Sequence, residues 1–94
     1  MAIEARLWDP VEQLAEVEDQ IHYLDAAFED GDPAVIAAAF GDVARARGMS
    51  GVARGAGVTR DALYKSLTKD GDPRLSTLMG VIKALGVKIT IAAA

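Results

Sequence analysis

The chain has 94 residues, enough for one small domain, and 51% of them are apolar, so a compact core can form. It has no cysteine, which excludes disulfide frameworks and thiolate metal sites, and no apolar run near the ~20 residues of a membrane span. The net charge of −4 combines −9 over residues 1–40 with +5 over residues 41–94, which favours two surfaces with different partners.

Residues 1–32 are predicted to form an acidic extension that contains a short strand and a helix. Apolar and charged residues alternate over positions 3–7, which predicts the strand. Apolar residues that follow one another at intervals of four, three and four positions indicate one face of a helix over about 17–30. The residues at these spacings are Val17, Ile21, Leu24 and Phe28. No basic segment followed by an apolar stretch opens the sequence, so we expect no signal peptide and a cytoplasmic protein.

The tripeptide Gly-Asp-Pro occurs at residues 31–33 and again at 71–73, and each copy predicts a helix start. Gly closes the preceding segment, Asp caps the next helix through its side-chain oxygen, and Pro suits the first helical position. With Ser50 and Thr59 as further N-caps, these signals predict four helices. Their ranges are 33–47, 50–56, 60–68 and 73–85. Alternation over residues 87–91 predicts a C-terminal strand.

The segment "MSGVARGAGVTRDALYKSLTKDG", residues 49–71, is predicted to be two short helices packed across a tight turn. Gly57 suits a turn that needs a positive φ, and Leu63 and Leu67 give the second helix an inward face. The residues left on its exposed side are Thr59, Arg60, Asp61, Tyr64 and Lys65. This arrangement predicts a helix-turn-helix whose second helix enters the DNA major groove. The alternative is an ordinary helical hairpin with a solvated polar side.

The DNA contacts are assigned by residue chemistry. Arg60 can donate two hydrogen bonds to a guanine edge, Lys65 can reach a phosphate or a base acceptor, and Tyr64 offers its ring to a thymine methyl. The remaining candidates for contacts to the duplex are Ser50, Thr59, Asp61, Arg45, Arg47, Arg54 and Lys69. Because one small domain reads few base pairs, we expect a homodimer on a palindromic operator. Residues 87–91 and the last helix are the predicted dimer contact.

Residues 33–86 resemble the phage-repressor type of helix-turn-helix domain, the XRE or Cro-like group. More specifically, "WDP", "GDVARARGMS", "ALYKSL" and "GDPRLSTLMGVIKALG" resemble the addiction-module antidote family, which is related to HigA-type antitoxins. The resemblance implies an all-α fold with a five-helix domain over residues 33–94. The apolar spacings and the alternating segments add an N-terminal helical extension over 1–32 and short terminal β-strands. It also implies an antitoxin that binds a small basic RelE-like or HigB-like mRNA-cleaving toxin and represses its own operon.

Residues 1–40 carry an excess of acidic side chains and include the extension. They are the predicted toxin-binding surface, because a basic nuclease complements their charge. Two other functions stay open, a free-standing phage-type transcriptional repressor and a protein-binding adaptor in which the hairpin is only scaffold. Two solvated faces would also explain the charge division. No enzyme is expected, because the single His22 lies among apolar residues and acids, and the sequence has no phosphate loop, metal spacing or cofactor motif.

Overall fold

The computed structural model describes residues 10–94, and within this range the chain forms six helices and no strand. The helices are α1 Pro10–Gln13, α2 Val17–Asp30, α3 Pro33–Arg47, α4 Met49–Ala56, α5 Arg60–Ser66 and α6 Leu75–Leu85. The all-α class is therefore confirmed for the described residues. Residues 33–94 hold four helices, one fewer than the resemblance implies. None of the described helices combines the length and apolar character needed to span a bilayer.

The junction between α2 and α3 follows the first Gly-Asp-Pro as predicted. Gly31 ends α2 in the left-handed conformation, with φ 81°. The Asp32 Oδ1 accepts a hydrogen bond from the Ala34 backbone N–H at 2.9 Å, and Pro33 is the first residue of α3. The carboxylate thus satisfies one of the N–H groups that a helix start leaves unpaired.

Two predicted helix starts are wrong. Helix α4 begins at Met49 with no side-chain cap, so Ser50 lies inside its first turn instead of capping it. The second Gly-Asp-Pro does not open α6, which begins two residues after it. Asp72 has φ 47°, whereas an N-cap residue usually has an extended backbone. A Cβ on Gly71 would lie 2.1 Å from the Ser66 carbonyl oxygen, so this tripeptide forms a turn folded back on α5.

Helix α3 is central to the core, because it contacts α1, α2, α4 and α6, while α4 also contacts α5 and α6. The largest fully buried side chains are Phe40, Leu63, Val43 and Val81. Leu14, Leu24 and Ala27, from the acidic extension, belong to the same buried cluster. The described part of the extension therefore shares one core with the helices that follow it.

The buried face of α2 differs from the apolar face that the sequence indicates. Gln20, Leu24 and Ala27 are the buried residues of this helix. The other three members of the indicated face, here called the apolar row, are Val17, Ile21 and Phe28, with exposed fractions of 52%, 46% and 40%. Periodicity identifies residues that share a helix face, but only neighbouring helices decide which face is covered.

A polar bridge explains why α2 turns Gln20 inward. The Gln20 Nε2 donates to the Leu14 carbonyl at 2.8 Å, and its Oε1 accepts from the Arg47 Nε at 2.7 Å. The Arg47 Nη2 donates to the Leu85 carbonyl at 2.9 Å. A buried amide is tolerated when it is hydrogen-bonded in this way. The bridge joins α2 and α3 to the carboxyl end of α6, where a cation is favourable.

We expect Arg47→Ala to lower the free energy of unfolding by about 2 kcal/mol, because it removes the hydrogen-bond donor of the Gln20 Oε1 and of the Leu85 carbonyl. Urea unfolding followed by circular dichroism measures the change. Arg54→Ala is the matched control, since Arg54 is an exposed arginine of α4 outside the bridge, and should shift stability by less than about 0.5 kcal/mol. Equal stability of the Arg47 variant and the wild type would contradict a structural role for the bridge.

The predicted C-terminal strand is not formed, since residues 87–94 are neither helix nor strand. A strand needs a second strand to pair its N–H and C=O groups, and no segment of residues 10–94 supplies one. Ile89 and Ile91 are exposed as a result, Ile91 almost completely. The other predicted strand, residues 3–7, lies outside the described residues.

Candidate nucleic-acid interface

The candidate interface is built on α4 and α5, which are joined by the three residues 57–59. Gly57 has φ 74°, in the left-handed region where a Cβ is costly, as the sequence predicts. Thr59 caps α5, because its Oγ1 accepts a hydrogen bond from the Ala62 backbone N–H at 3.1 Å. The turn and the cap together define where α5 begins after α4.

The inner face of α5 holds this helix on the domain. Leu63 and Leu67 are buried, as predicted, together with Val52 and Ala53 of α4. Helix α3 also approaches the end of α5 closely, because a Cβ on Gly41 would lie 2.1 Å from the Leu67 carbonyl oxygen. The lack of a side chain at Gly41 therefore lets α5 approach α3 this closely.

Helix α4 is packed against α6 through small residues. A Cβ on Gly55 would lie 2.8 Å from the Ala84 Cβ, and one on Gly80 would lie 3.1 Å from the Ala56 Cα. A Cβ on Gly51, by contrast, would have no other group within 4 Å and would point to open space. The glycine content makes α4 a poor helix by itself, so packing on α6 stabilises it.

The outer face of α5 is not covered by the rest of residues 10–94. All four candidates on this helix are exposed: Arg60, Asp61, Tyr64 and Lys65. The Lys65 Nζ lies 3.1 Å from the Asp61 Oδ2, with both side chains at least three-quarters exposed. An ion pair this exposed contributes little to stability, so Lys65 can exchange Asp61 for another anion. Arg60 has no ion-pair partner among the described residues.

The other predicted contacts fall into two groups. All five are exposed, and Ser50, Arg54 and Lys69 form the first group. Arg45 and Arg47 are engaged within the chain, because Arg45 pairs with Asp42 and Arg47 holds the polar bridge. One shallow groove between α3 and α5 brings three candidates together: Arg45, Tyr64 and Lys69.

Sequence reasoning missed Asp42, which lines the same groove. Its Oδ2 accepts a hydrogen bond from the Tyr23 hydroxyl at 2.5 Å, while its Oδ1 accepts from Arg45. Asp42 thus neutralises Arg45, which was predicted to contact DNA, and connects α2 to α3. The three-residue spacing from Asp42 to Arg45 on one helix is the signal that identifies the pair.

Burial, and next the hydrogen bond to Asp42, raise the pKa of Tyr23 to about 12 from its ordinary value of 10. The pKa of Tyr23 is higher in the folded than in the unfolded state. The contribution of protonated Tyr23 to the free energy of unfolding is therefore complete below pH 10 and is lost as the pH rises towards 12. We expect the stability difference between the wild type and Tyr23→Phe to shrink over that interval. Urea unfolding of both proteins at successive pH values measures it; a constant difference would contradict the assignment.

Within residues 10–94, no group of histidine or carboxylate side chains is arranged to hold a metal ion. The exposed side chains gathered here are mainly donors and cations from α4, α5 and the groove, together with the Asp61 carboxylate. Such groups bind phosphate and base edges by hydrogen bonding and charge.

The chain is similar to known proteins over nearly its whole length. A family model described as "Probable addiction module antidote protein" matches residues 4–93. A protein of Haemophilus influenzae (strain ATCC 51907 / DSM 11121 / KW20 / Rd), named "Uncharacterized protein", is 39% identical over 84 residues, which are 89% of this chain and 87% of that protein. No solved structure matches the chain. The family match includes both α2 and the α4–α5 hairpin.

Proposed function

We propose an antitoxin function for this chain, because it belongs to the family of probable addiction module antidote proteins. An antidote acts on a toxin, so the family supports a toxin partner. Our finer proposal is a HigA-like antitoxin of a type II module that neutralises a RelE-like or HigB-like toxin in the cytoplasm. We further propose that the chain represses its own operon by sequence-specific DNA binding.

The observation that carries the DNA-binding proposal is the uncovered outer face of α5. Arg60, Tyr64 and Lys65 stand on a helix whose other face is buried, and the turn before it contains Gly57. We take α4 and α5 as the helix-turn-helix of an XRE-type domain, with α5 as the helix that enters the major groove. The net charge of +5 over residues 41–94 favours a phosphate-rich partner.

The toxin-binding proposal places the toxin on the acidic part of the chain. Between Pro10 and Ala44 the sequence has no lysine or arginine. A basic nuclease would approach this surface under favourable long-range attraction, which raises association rates. The two proposed partners would then occupy regions of opposite charge.

Growth of cells that express both proteins tests the proposed function. The protein encoded by the gene adjacent to this one should arrest growth when expressed alone, and co-expression of this chain should restore growth. Specific binding of the chain to its own promoter DNA should accompany rescue. Promoter binding without a neighbouring toxin gene would favour a free-standing repressor, and rescue without DNA binding would favour a protein-binding adaptor.

The proposed homodimer has a candidate contact on α6. Leu75 and Met79 are 72% and 53% exposed, and the apolar residues of the C-terminal segment lie after the same helix. We expect Leu75→Asp to convert a dimer into a monomer in sedimentation equilibrium, because it places a charge in an apolar contact. Val35→Asp is the control, since Val35 is an exposed apolar residue of α3. A wild-type monomer, or an unchanged dimer in the Leu75 variant, would contradict this contact.

A further inference from the structure

Two parallel rows of exposed side chains run along α2. The apolar row has spacings of four and seven residues, which place its members on one face of the helix. A second row, here called the acidic row, has spacings of seven and four and consists of Glu18, Asp25 and Glu29. Two of its members directly follow members of the apolar row, so the two rows lie about 100° apart around the helix.

The apolar row is exposed on a helix that is otherwise well anchored. Leu24 is buried between the members of the row, and the polar bridge holds Gln20. The Phe28 ring meets the buried Phe40 ring edge-on, with 6.0 Å between the ring centroids. The row therefore presents a preorganised apolar surface, which lowers the entropic cost of binding.

We propose that the apolar row and the acidic row together form the docking ridge for a basic protein, which on the proposed function is the toxin. This assignment rests on that function and deepens it, because it names the side chains of α2 that contact the partner. The apolar row supplies contact area that excludes water, and the acidic row pairs with lysine or arginine at the rim. The complementary surface is an apolar strip flanked by cations.

Charge decides between a basic partner and a second copy of this chain. A two-fold contact through α2 would bring the same surface of each copy together. Where the two α2 helices run antiparallel, the two acidic rows would lie on the same side of the contact, with no lysine or arginine from residues 10–44 to compensate. Like charges placed opposite each other across a contact cost several kcal/mol. A basic partner has the opposite sign and gains from the same arrangement.

The test uses the purified protein encoded by the adjacent gene, in a catalytically inactive form, as the probe. Val17→Ser/Ile21→Ser should weaken its binding roughly 10-fold or more, mainly through faster dissociation. Glu18→Lys/Asp25→Lys/Glu29→Lys should slow association by at least roughly 10-fold at low salt and reduce the dependence of association on salt. Surface plasmon resonance measures both rates.

Two controls match these variants in chemistry. Ile91→Ser removes an exposed apolar side chain from the segment after α6, and Asp70→Lys reverses an exposed acid after α5. Both should bind the probe as the wild type does. Unchanged promoter binding by all variants would show that the effect is confined to the docking ridge.

The outcomes separate the inference from the proposed function. If the wild type does not bind the probe, or no small basic protein is encoded beside this chain, the proposed function fails and the inference with it. If the wild type binds and both ridge variants bind equally well, the function stands and the ridge is wrong. Loss of a dimer in the serine variant, or loss of its folding stability, would also overturn the ridge, because the apolar row would then be covered by a second copy or by the chain itself.

Discussion

Arg60→Ala/Lys65→Ala is expected to bind the promoter DNA of its own operon roughly 100-fold more weakly than the wild type. A side chain that reads a base edge or neutralises a phosphate contributes about 1–3 kcal/mol, and two such losses multiply in the binding constant. Both side chains are exposed on α5, so their removal leaves the core intact. Fluorescence anisotropy with the promoter duplex at fixed salt measures the loss.

The matched control removes the same charge from another part of the chain. Lys83→Ala/Lys88→Ala deletes two exposed cations that lie on α6 and after it. This variant should bind DNA within about threefold of the wild type, whereas the α5 variant should also show a shallower dependence of affinity on salt. Equal losses in both variants would indicate general attraction instead of recognition by α5. Wild-type affinity in a folded α5 variant would refute the role of this helix.

Gly41→Ala is expected to lower the free energy of unfolding by about 3 kcal/mol, at the upper end of the usual cost of overpacking. The added Cβ would lie 2.1 Å from the Leu67 carbonyl oxygen, and this neighbour is backbone that cannot rotate away. Either α3 or the end of α5 must move. Because either movement changes the position of α5 on the domain, promoter affinity should fall together with stability. Urea unfolding and DNA binding of the same preparation measure the two effects.

Gly51→Ala is the matched control, because it makes the same chemical change inside the adjacent helix α4. Nothing lies within 4 Å of the Cβ that alanine would add there. Since alanine is the better helix former, this variant should be more stable than the wild type by about 0.5–1 kcal/mol. If both variants changed the free energy of unfolding in the same direction, the close approach of α5 to α3 would not be the reason why Gly41→Ala is destabilising.

Most of the helix boundaries that could be predicted depend on residues that are close together in the sequence. The first Gly-Asp-Pro, the positive φ of Gly57 and the cap at Thr59 each depend on hydrogen bonds within three or four residues, so the sequence alone determines them. The inward pair Leu63 and Leu67 is predictable for a related reason, because a short helix with one apolar face can bury only that face. Membership in the addiction-module antidote family, which the family model matches over residues 4–93, was likewise readable from the sequence motifs.

Only the tertiary structure decided which of several compatible surfaces is covered. Periodicity marked Val17, Ile21 and Phe28 as one face, but Gln20 turned a different face of α2 inward through partners at Leu14 and Arg47. In the same way, the second Gly-Asp-Pro became a turn because α5 packs against it, and residues 87–91 found no strand to pair with. Caps and turns are determined by neighbours in sequence, whereas burial and strand pairing depend on groups distant in the chain.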